Sequence, residues 1–281
     1  MTIRNQIEHS SETLTQSERK LAAALLSDYP YAGLVSIQEF AKRAEVSAPS
    51  ITRFVTKIGL DGYQDMQRRL LAELKDGDRS PVQLHSTNRK VEGGYLADFL
   101  SRAARQMESA NEAVTEAQFQ RICALLSDPK RSIYTIGGRI SDSIAQHLSF
   151  HLRQARKDVF HLPRDPESWP EYVLRLKPGD VFYLVDFRRY QSNLTDLARM
   201  VAMQKAQVVL MTDKWLSPAT AHASEVLAVP IETGTVWDSY SAALAVTEAL
   251  VTRVGEDNWD ATRARIEAWD AARQLDGGTE T

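Results

Sequence analysis

The stretch SIQEFAKRAEVSAPSITRFVTKIGL, residues 36 to 60, decides how the amino-terminal part folds. Ser36 followed by Glu39 has the spacing of a helix N-cap with its reciprocal partner. The helix it starts ends near Ala44. Val46 is apolar in the turn, Ser47 is the next N-cap, and Pro49 falls where a first helical turn loses nothing by lacking an N–H. Two short helices joined by a three- to four-residue turn form a helix-turn-helix when the crossing position is small and the inner positions are apolar. Ala41 fits the crossing; Val46, Ile51 and Phe54 fit the inner positions. Ser47, Ala48, Pro49, Ser50, Thr52, Arg53 and Lys57 are then left outside, with Ser36 and Gln38 at the entry of the first helix. Short polar groups followed by cations suit a helix entering a major groove. Periodicity alone also allows a plain helical bundle that touches no DNA. The turn position that favours glycine holds Glu45, which costs about 1 kcal/mol in a left-handed conformation.

Outward from this segment the texture changes twice. Helical periodicity runs from Thr15 to Leu74. The piece KDGDRSPVQLHSTNRKVEGG breaks it and reads as a linker. Two helices follow, from Tyr95 to about Ala110 and from Thr115 to about Ser127. From Arg131, short apolar runs alternate with helical segments: Ser132–Ile136, Asp158–Leu162, Val181–Val185, Gln207–Met211 and Glu225–Val229. That alternation predicts a parallel sheet with helices on both faces. Helices from about Trp237 to Val254 and from about Trp259 to Leu275 complete the unit. The expected organisation is an all-helical domain over 1–77, a linker over 78–94, a five-stranded α/β/α sandwich of flavodoxin-like type over 95–275, and a disordered tail over 276–281.

Composition narrows the function classes. The 281 residues carry 43% apolar and 25% charged side chains, ordinary for a globular chain. A net charge of −3 gives no long-range attraction to nucleic acid, so a DNA-binding surface has to be local. Residues 42–75 carry such a local excess, including Lys42, Arg43, Arg53 and Lys57. Arg68 and Arg69 fit equally a phosphate contact and a solvated surface. A single cysteine, Cys123, excludes an intrachain disulfide and a cysteine-rich zinc module. No apolar run is long enough to span a membrane, and the first residues lack the core of a signal peptide. The expected location is cytoplasmic.

The segment from Leu14 to Leu70 resembles the amino-terminal domain of RpiR-type transcription regulators. The resemblance rests on SERK, SIQEFA, the Val46–Ser47 turn, ITRF, and Gly59 with Gly62 and Tyr63. It implies a sugar-isomerase (SIS) domain after the linker, a double-stranded and two-fold symmetric operator, a small anionic metabolite as effector, and a homodimer, with a homotetramer as the alternative. The regulated genes would serve catabolism or transport. The resemblance implies no cofactor.

In open parallel sheets, ligands sit beyond the carboxyl ends of the strands. Two loops there have suitable chemistry. In IGGRIS, residues 136–141, Gly137 and Gly138 allow close backbone approach, and Arg139, Ser141 and the helix-start amides can hold an anion; the alternative is a plain glycine turn. In LVDFRRYQSN, residues 184–193, a buried strand runs into Asp186, Arg188, Arg189, Tyr190, Ser192 and Asn193. SIS domains carry a Ser-x-Ser-Gly-x-Thr type of loop here, and this chain replaces those hydroxyls with charge. One of the two arginines is expected to bind an anionic group through its guanidinium, and the other to pair with Asp186 or a neighbouring subunit; Tyr190 could add a hydroxyl donor. Ser192 or Asn193 is expected to cap the next helix, and Asp238 or Ser239 to cap the late one. The alternative is a salt-bridged subunit contact without ligand. His147 and His151 share a helix face but lack the glutamate of a metalloprotease helix, so no metal is expected. A competing function is a phosphosugar isomerase, with Glu232 or His222 as its base. The helix-turn-helix would serve no purpose in such an enzyme.

Overall fold

The computed structural model describes residues 2–27, 29–77 and 94–276. The expected linker lies outside these residues except for Gly94, and the expected tail except for Asp276.

Five helices build the amino-terminal domain: α1 (Ile3–Ser10), α2 (Gln16–Ser27), α3 (Ile37–Arg43), α4 (Ala48–Lys57) and α5 (Tyr63–Gly77). Their core is Leu21, Leu25, Phe40, Ile51, Phe54, Val55, Met66 and Leu70. The first helix escaped the sequence reading. Its inward residues are Ile3 and Ile7, one pair four apart in a polar stretch. Ser36 caps α3, accepting from the Glu39 N–H at 3.2 Å. Ala41 is buried at the crossing, and Glu45 sits at φ 53, the left-handed turn conformation expected there.

The second unit runs α6 (Tyr95–Ala113), α7 (Glu116–Ser127), β1 (Ile133–Gly137), α8 (Asp142–Ala155), β2 (Val159–His161), α9 (Trp169–Val173), β3 (Val181–Val185), α10 (Ser192–Met203), β4 (Gln207–Thr212), β5 (Glu225–Ala228), α11 (Ser241–Asp257) and α12 (Trp259–Asp276). The five strands are parallel in the order β2-β1-β3-β4-β5. Side chains alternate across the sheet. Ile133, Tyr183, Val185, Val209 and Met211 face α7, α8 and α11. Tyr134, Ile136, Phe182, Leu184 and Leu210 face α9 and α10. All five residues of β3 are buried, as a strand covered on both faces requires. The order reverses between β1 and β3, so the loops after these two strands part to opposite faces and leave a crevice.

The units touch through Leu216, in the loop after β4. It is 3% exposed and lies within the apolar cluster of the helical domain, with Val226 and Ala228 of β5 packed alongside.

Replacing Phe54, wholly buried in the helical core, with alanine is expected to cost about 3–5 kcal/mol. Urea unfolding followed by circular dichroism measures this, and a loss below about 1 kcal/mol would contradict the packing of α4.

Candidate functional site

Two surfaces carry chemistry. On α4 the buried residues are Ile51, Phe54 and Val55, and the rest of the helix faces out. Ser36, Gln38, Ser47, Pro49, Thr52, Arg53 and Lys57 are exposed, and Ala48 and Ser50 are half-buried. Ser47 and Ser50 share a hydrogen bond of 2.9 Å between their hydroxyls, and Arg53 reaches Ser50 at 3.4 Å. Lys57 is engaged elsewhere: its ammonium donates to the Thr13 carbonyl at 2.5 Å and to Glu18 at 2.8 Å. Arg68 and Arg69 both pair with Asp65. Thr56, exposed on the same side, was missed by the sequence reading.

The second surface is the crevice at the carboxyl ends of β1 and β3. Gly137 is required by space: a Cβ there would lie 2.6 Å from the backbone N and Cα of Asp142. The glycine-loop amides, however, are not free. Gly137 N donates to Asp142 at 2.9 Å, Gly138 N to the Val185 carbonyl at 2.9 Å and to Ser141 Oγ at 3.0 Å, and Arg139 N to Gln191 Oε1 at 2.8 Å. Ser141 Oγ donates in turn to the Val185 carbonyl at 2.9 Å. The amides of Gly137, Gly138 and Arg139 and the Ser141 hydroxyl thus tie the glycine loop to Asp142, to the end of β3 and to Gln191. Gln191 closes the junction, and the sequence reading gave it no role. Asp142 is buried, which alone would raise its pKa, but His161 and Arg164, each 3.3 Å away, and the Gly137 amide lower it below the usual carboxylate value.

The crevice has two lobes on either side of the Arg139–Gln191 contact. One, of about 260 Å³, is lined by Gly138, Arg139, Ser141, Asp186, Arg188, Arg189 and Tyr240. The other, of about 170 Å³, is lined by Gly137, Gly138, Arg139, Arg164, Trp169 and Asn193. Tyr190 and Ser192 line neither lobe.

The two adjacent arginines have divided roles. The Arg188 side chain is only 3% exposed and makes a two-pronged pair with Asp238, its Nε on Oδ2 at 2.8 Å and its Nη2 on Oδ1. Its guanidinium also lies 5.0 Å from the centre of the Trp215 ring. The expected partner, Asp186, is thus replaced by Asp238. Asp238 is no helix cap: α11 starts at Ser241. Arg189, at φ 65, is exposed on the crevice. Tyr190 turns inward and donates to Asp213 at 2.6 Å. The cap of α10 is Gln191, without a side-chain cap bond, rather than Ser192 or Asn193.

Two carboxyl groups lie beneath. Asp186 accepts from Ser217 Oγ at 2.5 Å; burial, together with the charge of Asp213, pushes its pKa up to about 7. Asp213 accepts from Tyr190 and from the Arg188 and Trp215 amides at 2.5 and 3.0 Å, yet burial still pushes it up to about 6. At neutral pH the floor of the crevice is therefore only partly anionic, with two arginines at its rim. A larger cleft of about 470 Å³ beside α6 is lined by two ion pairs, Arg102 on Asp98 at 2.7 Å and Lys214 on Glu232 at 2.6 Å, and by Arg105. Glu232, the candidate base of the isomerase reading, lines that cleft and neither lobe of the crevice. His147 and His151 have ring centres 4.5 Å apart; among the described residues no group of three or more metal-ligating side chains occurs.

A helix-turn-helix with its second helix exposed, joined to a doubly wound parallel-sheet domain, is the make-up of a DNA-binding regulator. Residues 1–77 match the helix-turn-helix domain of the rpiR family, and residues 125–253 match the SIS domain. The two matches, in this order along the chain, give it the domain make-up of RpiR-type transcriptional regulators. It is 24% identical over 261 residues to the HTH-type transcriptional regulator HexR of Escherichia coli strain K12, covering 89% of this chain and 85% of that one. It is 26% identical over 213 residues to HexR of Pseudomonas aeruginosa, covering 74% and 72%. Among solved structures, the sugar isomerase domain of an RpiR transcription factor from Sphaerobacter thermophilus superposes with a TM-score of 0.58 at 15% identity, covering 63% of this chain and 98% of that one. The Vibrio vulnificus NanR protein complexed with ManNAc-6P superposes with a TM-score of 0.55 at 16% identity, covering 98% and 99%. With curated relatives that are regulators, the chain is a transcriptional regulator and not an isomerase.

Two outcomes follow from the buried charges. Removing the carboxylate in Asp238→Ala leaves Arg188 buried and unmatched, a change expected to cost about 3–5 kcal/mol in urea unfolding. Asp186 has the opposite problem. Folded, it keeps its proton up to about pH 7; unfolded, it releases it near pH 4. Between these values the folded state binds more protons, so stability falls as pH rises. Asp186→Asn is expected to reduce the drop in melting temperature between about pH 5 and about pH 8. An unchanged drop would show that Asp186 is ionised throughout.

Proposed function

We propose that α4 enters the major groove of a two-fold symmetric operator, with Ser47, Ala48, Pro49, Ser50, Thr52 and Arg53 toward the bases and Ser36 and Gln38 toward the backbone. The chain acts as a homodimer in the cytoplasm. The observation that carries this reading is the exposure of Pro49, Thr52, Arg53 and Thr56 on the outer side of α4 while Ile51, Phe54 and Val55 are packed inside. Lys57 is removed from the proposed contacts because its ammonium is spent on Glu18 and Thr13.

The crevice between β1 and β3 takes a small anionic metabolite, a phosphosugar or sugar acid. Arg189 and Arg139 stand at its rim, and ManNAc-6P in the NanR complex supports the phosphosugar class. A guanidinium fork binds phosphate and carboxylate alike, so the loss of the hydroxyl loop changes the recognition chemistry without closing the site. Control requires the metabolite to prefer one arrangement of the two reading heads.

The DNA arm is tested by Arg53→Ala, expected to weaken operator binding by about 1–3 kcal/mol in a gel-shift titration and to relax selectivity at the contacted base. Equal affinity for wild type and variant would remove Arg53 from the interface. The effector arm is tested by calorimetry with hexose 6-phosphates, the matching sugar acids and simple carboxylates. Arg189→Ala is expected to weaken the best of them about 10- to 100-fold. Failure of every compound to bind wild type would remove the crevice as an effector site.

A further inference from the structure

The loop Asp213–Ser217, between β4 and the short helix that follows, touches both the crevice loop and the helical domain. Asp213 is wholly buried, and its two oxygens gather the backbone N–H of Arg188 at 2.5 Å, the hydroxyl of Tyr190 at 2.6 Å and the backbone N–H of Trp215 at 3.0 Å. Ser217, at the far end, donates to Asp186 at 2.5 Å. The crevice loop after β3 therefore leans on both ends of this segment. Its middle points the other way. Leu216 lies within the core of the helical domain, the only buried residue of the α/β unit to do so among those described. Lys214 stands near enough to Glu73 of α5 for its charge to oppose the upward shift that burial imposes on that carboxyl.

The backbone marks the segment as held rather than relaxed. Leu216 sits at φ 64, a left-handed conformation unfavourable for leucine that persists only when surrounding contacts enforce it. Those contacts are the Asp213 carbonyl, which accepts from the Leu216 amide at 3.1 Å, and the apolar seat in the helical domain.

We propose that Asp213–Ser217 is the mechanical link between the effector crevice and the reading domain, with Asp213 sensing the Arg188–Tyr190 loop and Leu216 setting the seat of the helices. This rests on the crevice being the effector site. A metabolite on Arg189 draws on the residues flanked by Arg188 and Tyr190, both anchored to Asp213. Displacing that anchor moves Leu216, three residues on, and with it the helices packed against it. Coupling of this kind needs a contiguous element with two arrangements, and a strained residue lodged between two bodies supplies one.

The link is testable without ligand or operator, by hydrogen exchange on the full chain. Tyr190→Phe deletes the hydroxyl that donates to Asp213, on the crevice side of the link. It is expected to speed exchange about threefold or more in Lys214–Ser217 and in α1 and α5. Leu216→Ala, made on the other side, is expected to speed exchange in Phe187–Gln191; Leu216→Met replaces it if alanine unfolds the helical domain. Confinement of either variant's effect to its own domain overturns the link. Such a failure leaves metabolite binding intact in calorimetry, whereas failure of the crevice reading shows there first.

Discussion

A guanidinium shut away from water must be matched by a carboxylate, and the arrangement of the crevice follows from how Arg188 meets that demand. The pair with Asp238 ties the loop after β3 to the segment entering α11, and Trp215 covers the guanidinium. Three loops, after β3, β4 and β5, are thereby drawn over the carboxyl end of the sheet. A buried pair of this kind adds little net stability compared with an apolar filling, but breaking it is costly. Its effect is to fix which loops lie together. Arg189, next in sequence, is freed for solvent and ligand because its neighbour has taken the internal role.

Periodicity made most of the fold legible. The strand at Val181–Val185 is a run of five apolar residues, and alternation of strands with helices fixed a parallel sheet. The helix-turn-helix was readable from Ser36, Ala41, Val46 and Ile51, and even the strained turn at Glu45 followed from the spacing. The α1 helix was not, because two isoleucines in a polar stretch leave too little signal. In the crevice, proximity in sequence located Arg188 and Arg189 but could not say which turned inward. That was decided by Asp238, fifty residues away, and by Asp213, neither of which stands in any motif with the arginines. Gln191 was illegible for the same reason: its partner is the Arg139 amide across the crevice.

The charged loop after β3 sets what a ligand of the proposed crevice site would have to offer. Hydroxyls and free amides can surround a phosphate with many weak donors. Here the Gly138 and Arg139 amides are engaged in joining the two loops, and in the site proposed above the rim guanidinium groups would carry recognition. Such groups bind planar carboxylates as readily as phosphates. The Asp186 carboxyl beneath would repel either anion when ionised. Burial holds it partly neutral near pH 7, so the cationic rim is not cancelled from below.

The reading domain shows a comparable economy of charge. Of its cations, Lys57 is held by Glu18 and Thr13, and Arg68 and Arg69 by Asp65. Arg43 pairs with Glu39 on the surface. These acids offset part of the domain's positive charge, and the chain as a whole is net negative. A single domain with a modest positive excess gains modestly from counterion release. In the homodimer proposed above, two domains engaging two half-sites together would add affinity, because the second contact is effectively intramolecular. A regulator built this way is sensitive to geometry: a small change in the seat of each helical domain breaks the simultaneous fit. In the link proposed above, that sensitivity would let a modest shift at Asp213 and Leu216, rather than a large rearrangement, serve as the signal.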